Sequence, residues 1–162
     1  MKVRQSSRLL IIDPDDRLLL FHTVGAPMDP LLEIEEFWHV PGGGREPGES
    51  FEATAWRELW EETGISDGEL GPCVWIREQI LMFPGDIGEA ISHERFFPVW
   101  VDHTEPVLDN LAGYEAEAID GHRWWPLDAL RRTAVVVFPE DLATLLGPIL
   151  KRDLPDEPIA IR

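Results

Sequence analysis

Residues 42–65 read GGGREPGESFEATAWRELWEETGI, a glycine-rich loop that leads into an amphipathic segment. Ser50 is a favourable N-cap residue, and Gly64 is a favourable residue for ending a helix. Between these two positions one apolar ridge recurs every four residues, formed by Phe51, Ala55 and Leu59. The spacing therefore predicts a helix over residues 51–63 that packs this ridge on a sheet.

The same segment carries acidic residues at helical spacing. Separations of three and four positions place them on one side of the predicted helix: Glu58, Glu61 and Glu62. Like charges at this spacing destabilise a helix, so a bound cation would compensate them. Carboxylate oxygens suit Mg²⁺ or Mn²⁺ rather than zinc, because neither a cysteine nor a histidine cluster accompanies them. A solvated acidic helix face is the alternative interpretation.

Three consecutive glycines, Gly42 to Gly44, precede the helix. Residues without a β-carbon let the backbone approach a ligand closely. A carbonyl or amide of this loop could therefore join the acidic residues in one site. A glycine-rich loop is weak evidence alone, so its spacing from the helix matters.

Loop and helix have one fixed spacing: Gly43, five residues, Glu49, seven residues, Arg57-Glu58-Leu59, one residue, Glu61-Glu62, one residue, Gly64-Ile65. This spacing resembles the Nudix box, G-x5-E-x7-R-E-U-x-E-E-x-G-U with U apolar, at every specified position. A chance match has a probability on the order of 10⁻¹⁰ per window. On these residues the chain is identified as a member of the Nudix family.

The resemblance implies a Nudix fold, in which a mixed β-sheet is sandwiched between α-helices. It also implies hydrolysis of a diphosphate linkage in a nucleoside diphosphate joined to another group. By the family's pattern, Mg²⁺, with Mn²⁺ as a substitute, would be held by a main-chain oxygen of the Gly42 region and by Glu58, Glu61 and Glu62. Such ions neutralise the diphosphate and activate a water.

Two further box residues are expected to support these glutamates. As in the family, Arg57 would orient a metal-binding glutamate by a bidentate pair, and Glu49 would position Arg57 or the loop. A plain ion pair between loop and helix is the alternative for both residues.

An additional base or metal ligand in this family often comes from a later loop outside the box. The candidates here are Glu115 and Glu117, which lie just before the Trp124 strand, with Glu94 and Asp102 as weaker alternatives. Solvated loop carboxylates are the competing interpretation.

The sequence specifies substrate contacts less sharply. The aromatic residues that could stack on a base are Trp38, Phe83, Phe97, Trp124 and Trp125. Alternate side chains of a strand face opposite ways, so at most one of Trp124 and Trp125 is expected on the substrate side. Arg4 and Arg8, on the first predicted strand, could reach a phosphate or a sugar.

Outside the box, short apolar and β-branched runs separated by turn residues predict strands. They are residues 9–12 and 18–21, which form a hairpin, then 37–40, 73–81, 95–102 and 122–125. Helices are predicted over 127–132 and from Pro139 to Leu146, where Gly147-Pro148 would stop the second. This order predicts an α/β (α+β) sandwich in one domain, residues 1–152, followed by a loose tail, residues 153–162.

The chain has 162 residues and a formal net charge of −17, from 31 Asp plus Glu against 14 Lys plus Arg. Its content of 44% hydrophobic and 28% charged residues excludes a wholly disordered, collagen-like or coiled-coil chain. The charge opposes duplex nucleic acid and anionic membranes as partners, so a phosphate-bearing ligand needs an arginine pocket or bridging metal ions. The apolar runs are too short to span a membrane.

Cys73 is the only cysteine and cannot form an intramolecular disulfide, which fits a reducing, cytoplasmic location. Exposed segments at Thr23 to Glu36 or in the tail are candidates for a homodimer interface.

The resemblance favours a Mg²⁺-dependent pyrophosphohydrolase that acts on a nucleoside triphosphate or another nucleotide derivative. A hydrolase of dinucleoside polyphosphates, nucleotide sugars or non-nucleotide diphosphates would use the same residues. A non-catalytic domain that senses a nucleotide or a protein is the alternative from a different class. The complete acidic set argues against that alternative.

Overall fold

The structure, a computed structural model, describes residues 1–25, 34–102 and 119–162. Within these residues one mixed sheet contains β1 (Lys2–Ile12), β2 (Arg17–Val24), β3 (Glu36–His39), β4 (Gly42–Gly44), β5 (Glu69–Leu70), β6 (Trp75–Phe83), β7 (Gly88–Trp100), β8 (Ile119–Pro126), β9 (Val137–Phe138) and β10 (Ile159–Ala160). The helices are α1 (Phe51–Thr63), α2 (Leu127–Arg132) and α3 (Leu142–Leu150), and a 3₁₀ turn, Gly85–Ile87, joins β6 to β7. The predicted mixed α/β (α+β) fold is confirmed. None of the helices in these ranges combines the length and apolarity needed to cross a bilayer.

The long strand β1 lies at the centre of the sheet. It pairs in parallel with β7 along its whole length and antiparallel with β2 at Ile12. Strand β4 pairs antiparallel with the middle of β1, where Arg8 lies opposite Gly42 and Ser6 lies opposite Gly44. The order is β10-β6-β7-β1-β2-β3-β9, with β4, β5 and β8 paired to β1, β7 and β2. The glycine-rich segment is therefore fixed against the centre of the sheet.

Side chains of β1 alternate between the two faces of the sheet. Leu9 and Ile11 pack with Leu59 of α1, and we call this side the α1 face. Leu10 and Ile12 pack on the other side with residues of α2 and α3, and we call it the α2–α3 face. Each fully buried Leu or Ile contributes roughly 1.5–3 kcal/mol to folding. The sheet thus lies between helices, as the resemblance implied.

The C-terminal tail differs from the loose segment expected over residues 153–162. Ile159–Ala160 form β10 along β6, where the Ile159 N–H donates to Val74 O and the Ile161 N–H donates to Ile76 O, both at 2.9 Å. Ile161 is 8% exposed and packs on the α2–α3 face. The short apolar segment satisfies backbone groups at the edge of β6, which the polar composition of the tail does not reveal.

Helix α3 also differs from the prediction, since it begins at Leu142, after Pro139, and continues through Pro148. A proline inside a helix loses one backbone hydrogen bond and its ring crowds the preceding turn, which together cost about 3 kcal/mol. Leu146 is fully buried and Ile149 is 1% exposed, and burying each such side chain contributes roughly 1.5–3 kcal/mol. The burial of these two side chains therefore offsets the cost of the proline.

Candidate active site

Helix α1 and strand β4 bring the box residues together. Ser50 Oγ accepts a hydrogen bond from the Ala53 N–H at 3.0 Å, and the helix ends at Thr63, as predicted. Ala55 and Leu59 are fully buried on the α1 face. This packing turns the acidic side of the helix toward β4.

Glu62 and Glu58 lie against the glycine strand. Glu62 Oε2 accepts a hydrogen bond from the Gly42 N–H at 2.8 Å. The Glu58 carboxylate lies so close to Gly43 that a β-carbon at this position would overlap it. Glu58 is 5% exposed and Glu62 is 2% exposed. Gly43 therefore lets the buried Glu58 carboxylate reach backbone that a side chain would block, while Glu62 contacts the same strand through its hydrogen bond.

Arg57 connects loop, helix and strand. Its Nε and Nη2 atoms donate to the two oxygens of Glu49 at 2.6 and 3.0 Å. Its Nη1 atom donates to Glu58 at 2.9 Å and to Glu61 at 3.1 Å, while Nη2 also donates to Gly44 O at 2.8 Å. The bidentate pair is thus made with Glu49, and single hydrogen bonds orient the two glutamates of the helix.

Glu49 is a fixed negative charge beside Arg57. The hydrogen bond from Arg57 lowers the pKa of Glu49 to about 2 and raises the pKa of Arg57. Glu49 Oε2 also accepts hydrogen bonds from Thr54 Oγ1 at 2.8 Å and from the Glu46 N–H at 3.0 Å. Glu49 therefore stays ionised at neutral pH and holds Arg57 in one orientation.

The low pKa of Glu49 predicts stability that is sensitive to acid. A carboxylate whose pKa is lowered by folding contributes stability above its ordinary pKa, near 4.5, and this contribution is lost as the pH falls toward 2. Glu49→Gln should therefore have a lower free energy of unfolding than the wild type at pH 7, and the difference should shrink between about pH 5 and 2. Denaturant unfolding at several pH values measures it, with Glu52→Gln as the control. A constant difference over this range would contradict the prediction.

The donor set of the cluster fits a hard divalent cation, because it consists of carboxylates and main-chain oxygens. Among the residues that the structure describes, no group of three or more His, Cys, Asp or Glu side chains is already arranged to hold a metal ion. Glu58 and Glu61 face Arg57, Glu62 faces the Gly42 N–H, and Gly42 O lies 3.4 Å from Arg8 Nη1. Carboxylate and carbonyl oxygens carry further lone pairs, so these contacts leave capacity for an ion.

The residues predicted to contact substrate lie on both faces of the sheet. Arg4, Arg8 and Trp38 belong to the α2–α3 face, where Trp38 meets Trp125 edge-on at 5.4 Å. Trp124 packs on the α1 face. The two neighbouring tryptophans thus point to opposite faces, as strand alternation predicted. Substrate contact by these residues remains a prediction.

The candidate bases have different outcomes. Glu115 and Glu117 lie outside the described residues, so their role stays a prediction. Glu94 is 1% exposed and accepts hydrogen bonds from Arg8 and Arg77. Burial raises the pKa of Glu94, but the two arginine charges outweigh it and hold this pKa below its ordinary value, which makes Glu94 a poor base. Sequence reasoning missed Arg77, whose position opposite Glu94 depends on the pairing of β6 with β7.

Comparisons with known proteins agree with the box. A family model of the NUDIX domain matches residues 2–146. The chain is 26% identical over 140 residues to an RNA pyrophosphohydrolase of Afipia carboxidovorans. The alignment covers 78% of this chain and 80% of the relative.

Solved structures show the same fold. A MutT protein from Methanosarcina mazei Go1 matches with a TM-score of 0.67 and 20% identity, over 94% of this chain and 95% of that one. The NUDIX domain of Shewanella oneidensis NrtR, solved with ADP ribose, matches with a TM-score of 0.61 and 17% identity, over 94% and 88%. The family match spans most of the sequence and includes the complete box, so the chain belongs to the Nudix family and is a Nudix hydrolase.

Proposed function

We propose that this chain is a divalent-metal-dependent pyrophosphohydrolase that cleaves a diphosphate linkage in a nucleoside triphosphate or another nucleoside diphosphate derivative. The observation that carries the proposal is the grouping of Glu58, Glu61 and Glu62 around Arg57 and strand β4. An acidic cluster on a chain of net charge −17 repels a polyanion unless cations reverse the local charge. Mg²⁺ or Mn²⁺ is the cation that these oxygen ligands favour.

Each part of the cluster has its own role in the proposal. The three glutamates, with a main-chain oxygen near Gly42, hold the ion. When bound, the ion would neutralise the diphosphate and lower the pKa of a coordinated water. Arg57 keeps the glutamates oriented through its hydrogen bonds, and Glu49 keeps Arg57 in place.

The proton of the attacking water needs an acceptor. We assign this role to Glu115, Glu117 or one of the cluster glutamates, because an ionised carboxylate within reach of the water can act as a general base. Glu94 is excluded from the role by its two arginine partners.

Arg4, Arg8, Trp38 and Trp124 are the proposed substrate contacts, through guanidinium groups that suit phosphate and rings that suit a base. The RNA pyrophosphohydrolase relative adds RNA as a second candidate substrate. The net charge of −17 opposes a long nucleic acid, which favours a small substrate. Dinucleoside polyphosphates, nucleotide sugars and non-nucleotide diphosphates contain the same linkage and remain alternatives.

We also propose a cytoplasmic, single-domain protein, which the lone Cys73 supports. A homodimer through the Thr23 to Glu36 segment or the tail is a further proposal, and sedimentation velocity would test it.

A panel of nucleoside triphosphates, nucleotide sugars, dinucleoside polyphosphates and 5′-triphosphate RNA tests the proposed function. The purified protein is incubated with each compound in Mg²⁺, Mn²⁺ or EDTA, and the products are resolved by mass spectrometry. The proposal expects cleavage within a diphosphate linkage that EDTA abolishes. Ligand binding without turnover across the panel would overturn it in favour of a sensing domain.

A further inference from the structure

Glu94 joins two arginines on the α2–α3 face, next to the strand that carries Gly42. Its Oε1 atom accepts a hydrogen bond from Arg8 Nε at 2.8 Å, and its Oε2 atom accepts one from Arg77 Nε at 2.6 Å. The three residues come from the adjacent strands β1, β7 and β6. Two guanidinium groups share one carboxylate, so the trio has one net positive charge in a strongly acidic chain.

Both arginines contact Glu94 through Nε, so their terminal Nη groups extend beyond the carboxylate. Arg8 Nη1 lies 3.4 Å from Gly42 O. For the Nη atoms of Arg77, the part of the chain that the structure describes provides no acceptor, although this side chain is only 12% exposed. Trp125 Nε1 is the one fully buried side-chain polar atom without a partner among the described residues, so the Nη atoms of Arg77 reach solvent, where water or a ligand can accept their hydrogen bonds.

The field of the arginines extends beyond the trio to His39. Burial and then the charge of Arg8 lower the pKa of His39 to about 4, and Arg77 adds to this effect while Glu94 opposes it. Neutral His39 pairs through Nε2 with Thr23 Oγ1 at 2.7 Å and through Nδ1 with Val40 O at 3.1 Å. The surroundings therefore remain positive despite the buried carboxylate.

We propose that Glu94 is a positioning residue that fixes Arg8 and Arg77 as a binding pair for a phosphate or diphosphate group. Guanidinium nitrogens in fixed orientation suit phosphate oxygens. A buried ion pair is weak support for stability in itself, so stability alone gives little reason for the trio. The inference rests on the proposed function, which supplies a phosphate-bearing substrate.

Gly42 places this pair beside the acidic cluster. Its N–H donates to Glu62 Oε2 at 2.8 Å, while its carbonyl oxygen faces Arg8 Nη1. One residue of backbone therefore separates the proposed metal ligands from the arginine pair. A phosphate chain could reach both, with its charge shared between the ion and the guanidinium groups.

Inorganic pyrophosphate in a buffer with EDTA tests the arginine pair without metal or turnover. Isothermal titration calorimetry should show saturable binding by the wild type, and Arg77→Met should weaken it roughly ten-fold or more, since a hydrogen bond to a charged group is lost. Arg77→Lys should also weaken pyrophosphate binding, because lysine keeps the positive charge but lacks the planar set of N–H donors of the guanidinium group. The control is Arg152→Met, which removes the same charge from a half-exposed pair with Glu69. Absent binding, or equal binding by wild type and Arg77→Met, would overturn the proposal.

Glu94→Gln separates positioning from simple charge. The substitution raises the net charge of the trio, so attraction by charge alone predicts tighter pyrophosphate binding. The proposal predicts weaker binding, because Arg8 and Arg77 lose the carboxylate that orients them. Circular dichroism checks the fold of the variant. Should it not fold, Glu94→Asp keeps the charge but shortens the side chain, and wild-type affinity in that variant would refute the positioning role.

Turnover of the best substrate from the panel separates this inference from the proposed function. Arg77→Met should raise KM more than it lowers kcat, since the pair binds phosphate and does not hold the ion. Hydrolysis by a wild type that does not bind pyrophosphate in EDTA would refute the arginine pair alone. Pyrophosphate binding without metal-dependent turnover of any substrate would refute the proposed function alone.

Discussion

Glu61→Gln should keep the fold, and its metal-dependent turnover should fall by about 100-fold or more. Mutation of a residue that only supports a metal ligand typically lowers metal affinity or activity roughly 10- to 100-fold, and loss of a ligand itself should cost at least as much. The Glu61 side chain is 40% exposed and accepts one hydrogen bond from Arg57 Nη1 at 3.1 Å. A glutamine can accept the same hydrogen bond, so little stability should be lost. Its neutral amide is a poorer ligand for a hard cation than a carboxylate. Turnover at saturating Mg²⁺ and thermal unfolding of the same sample measure the two effects.

The matched control is Glu52→Gln, the same chemical change in the first turn of α1, where the side chain is exposed. This variant should turn over substrate at the wild-type rate. Wild-type turnover by Glu61→Gln would contradict its assignment as a metal ligand.

Arg57→Met should reduce both stability and turnover. The substitution removes the hydrogen bonds to Glu49, Glu58 and Glu61 and leaves their charges without a shared partner. We expect the free energy of unfolding to fall by about 1.5–3 kcal/mol, the value of a hydrogen bond between charged groups. Turnover should fall roughly 10- to 100-fold, because the glutamates lose the group that orients them. Denaturant unfolding and steady-state kinetics measure these changes.

Arg57→Lys tests whether geometry or charge is decisive. Lysine keeps the positive charge but cannot contact four oxygen-bearing groups with a planar fork, so it should restore part of the stability and little of the turnover. Arg132→Met is the control, since that side chain is 79% exposed and pairs with Asp128 at the surface. It should change stability by less than about 0.5 kcal/mol. Full activity in Arg57→Lys would show that the charge alone suffices.

The helix that carries the acidic residues could be predicted from sequence because its signals are local. Ser50 and Gly64 bound it, and the ridge from Phe51 to Leu59 fixes the face that it buries. The acidic residues follow from the same helical spacing. Local signals also gave the hairpin at residues 9–21, whose strands meet at Ile12 and Leu18.

The arginine pair could not be predicted because its contacts are distant in sequence. Glu94 meets Arg8 across 86 positions, through a parallel pairing of β1 with β7 that has no local signal, and it meets Arg77 across the 17 positions that separate them in the antiparallel pair of β6 and β7. The structure of the tail could not be predicted for the same reason, because Ile161 is held by hydrogen bonding of the tail to the edge of β6, a strand distant in sequence. Helix α3 continues through Pro148, and Ile149 after it is buried in the core. That burial depends on residues from other elements, so the local sequence does not indicate it.

The central claim is that the box glutamates hold a divalent ion. Titration with Mn²⁺, with the free ion followed by electron paramagnetic resonance, tests it without a substrate. The account predicts saturable binding by the wild type and by Glu52→Gln, and binding weakened about ten-fold or more in Glu61→Gln. Equal Mn²⁺ affinity in the wild type and Glu61→Gln would contradict it.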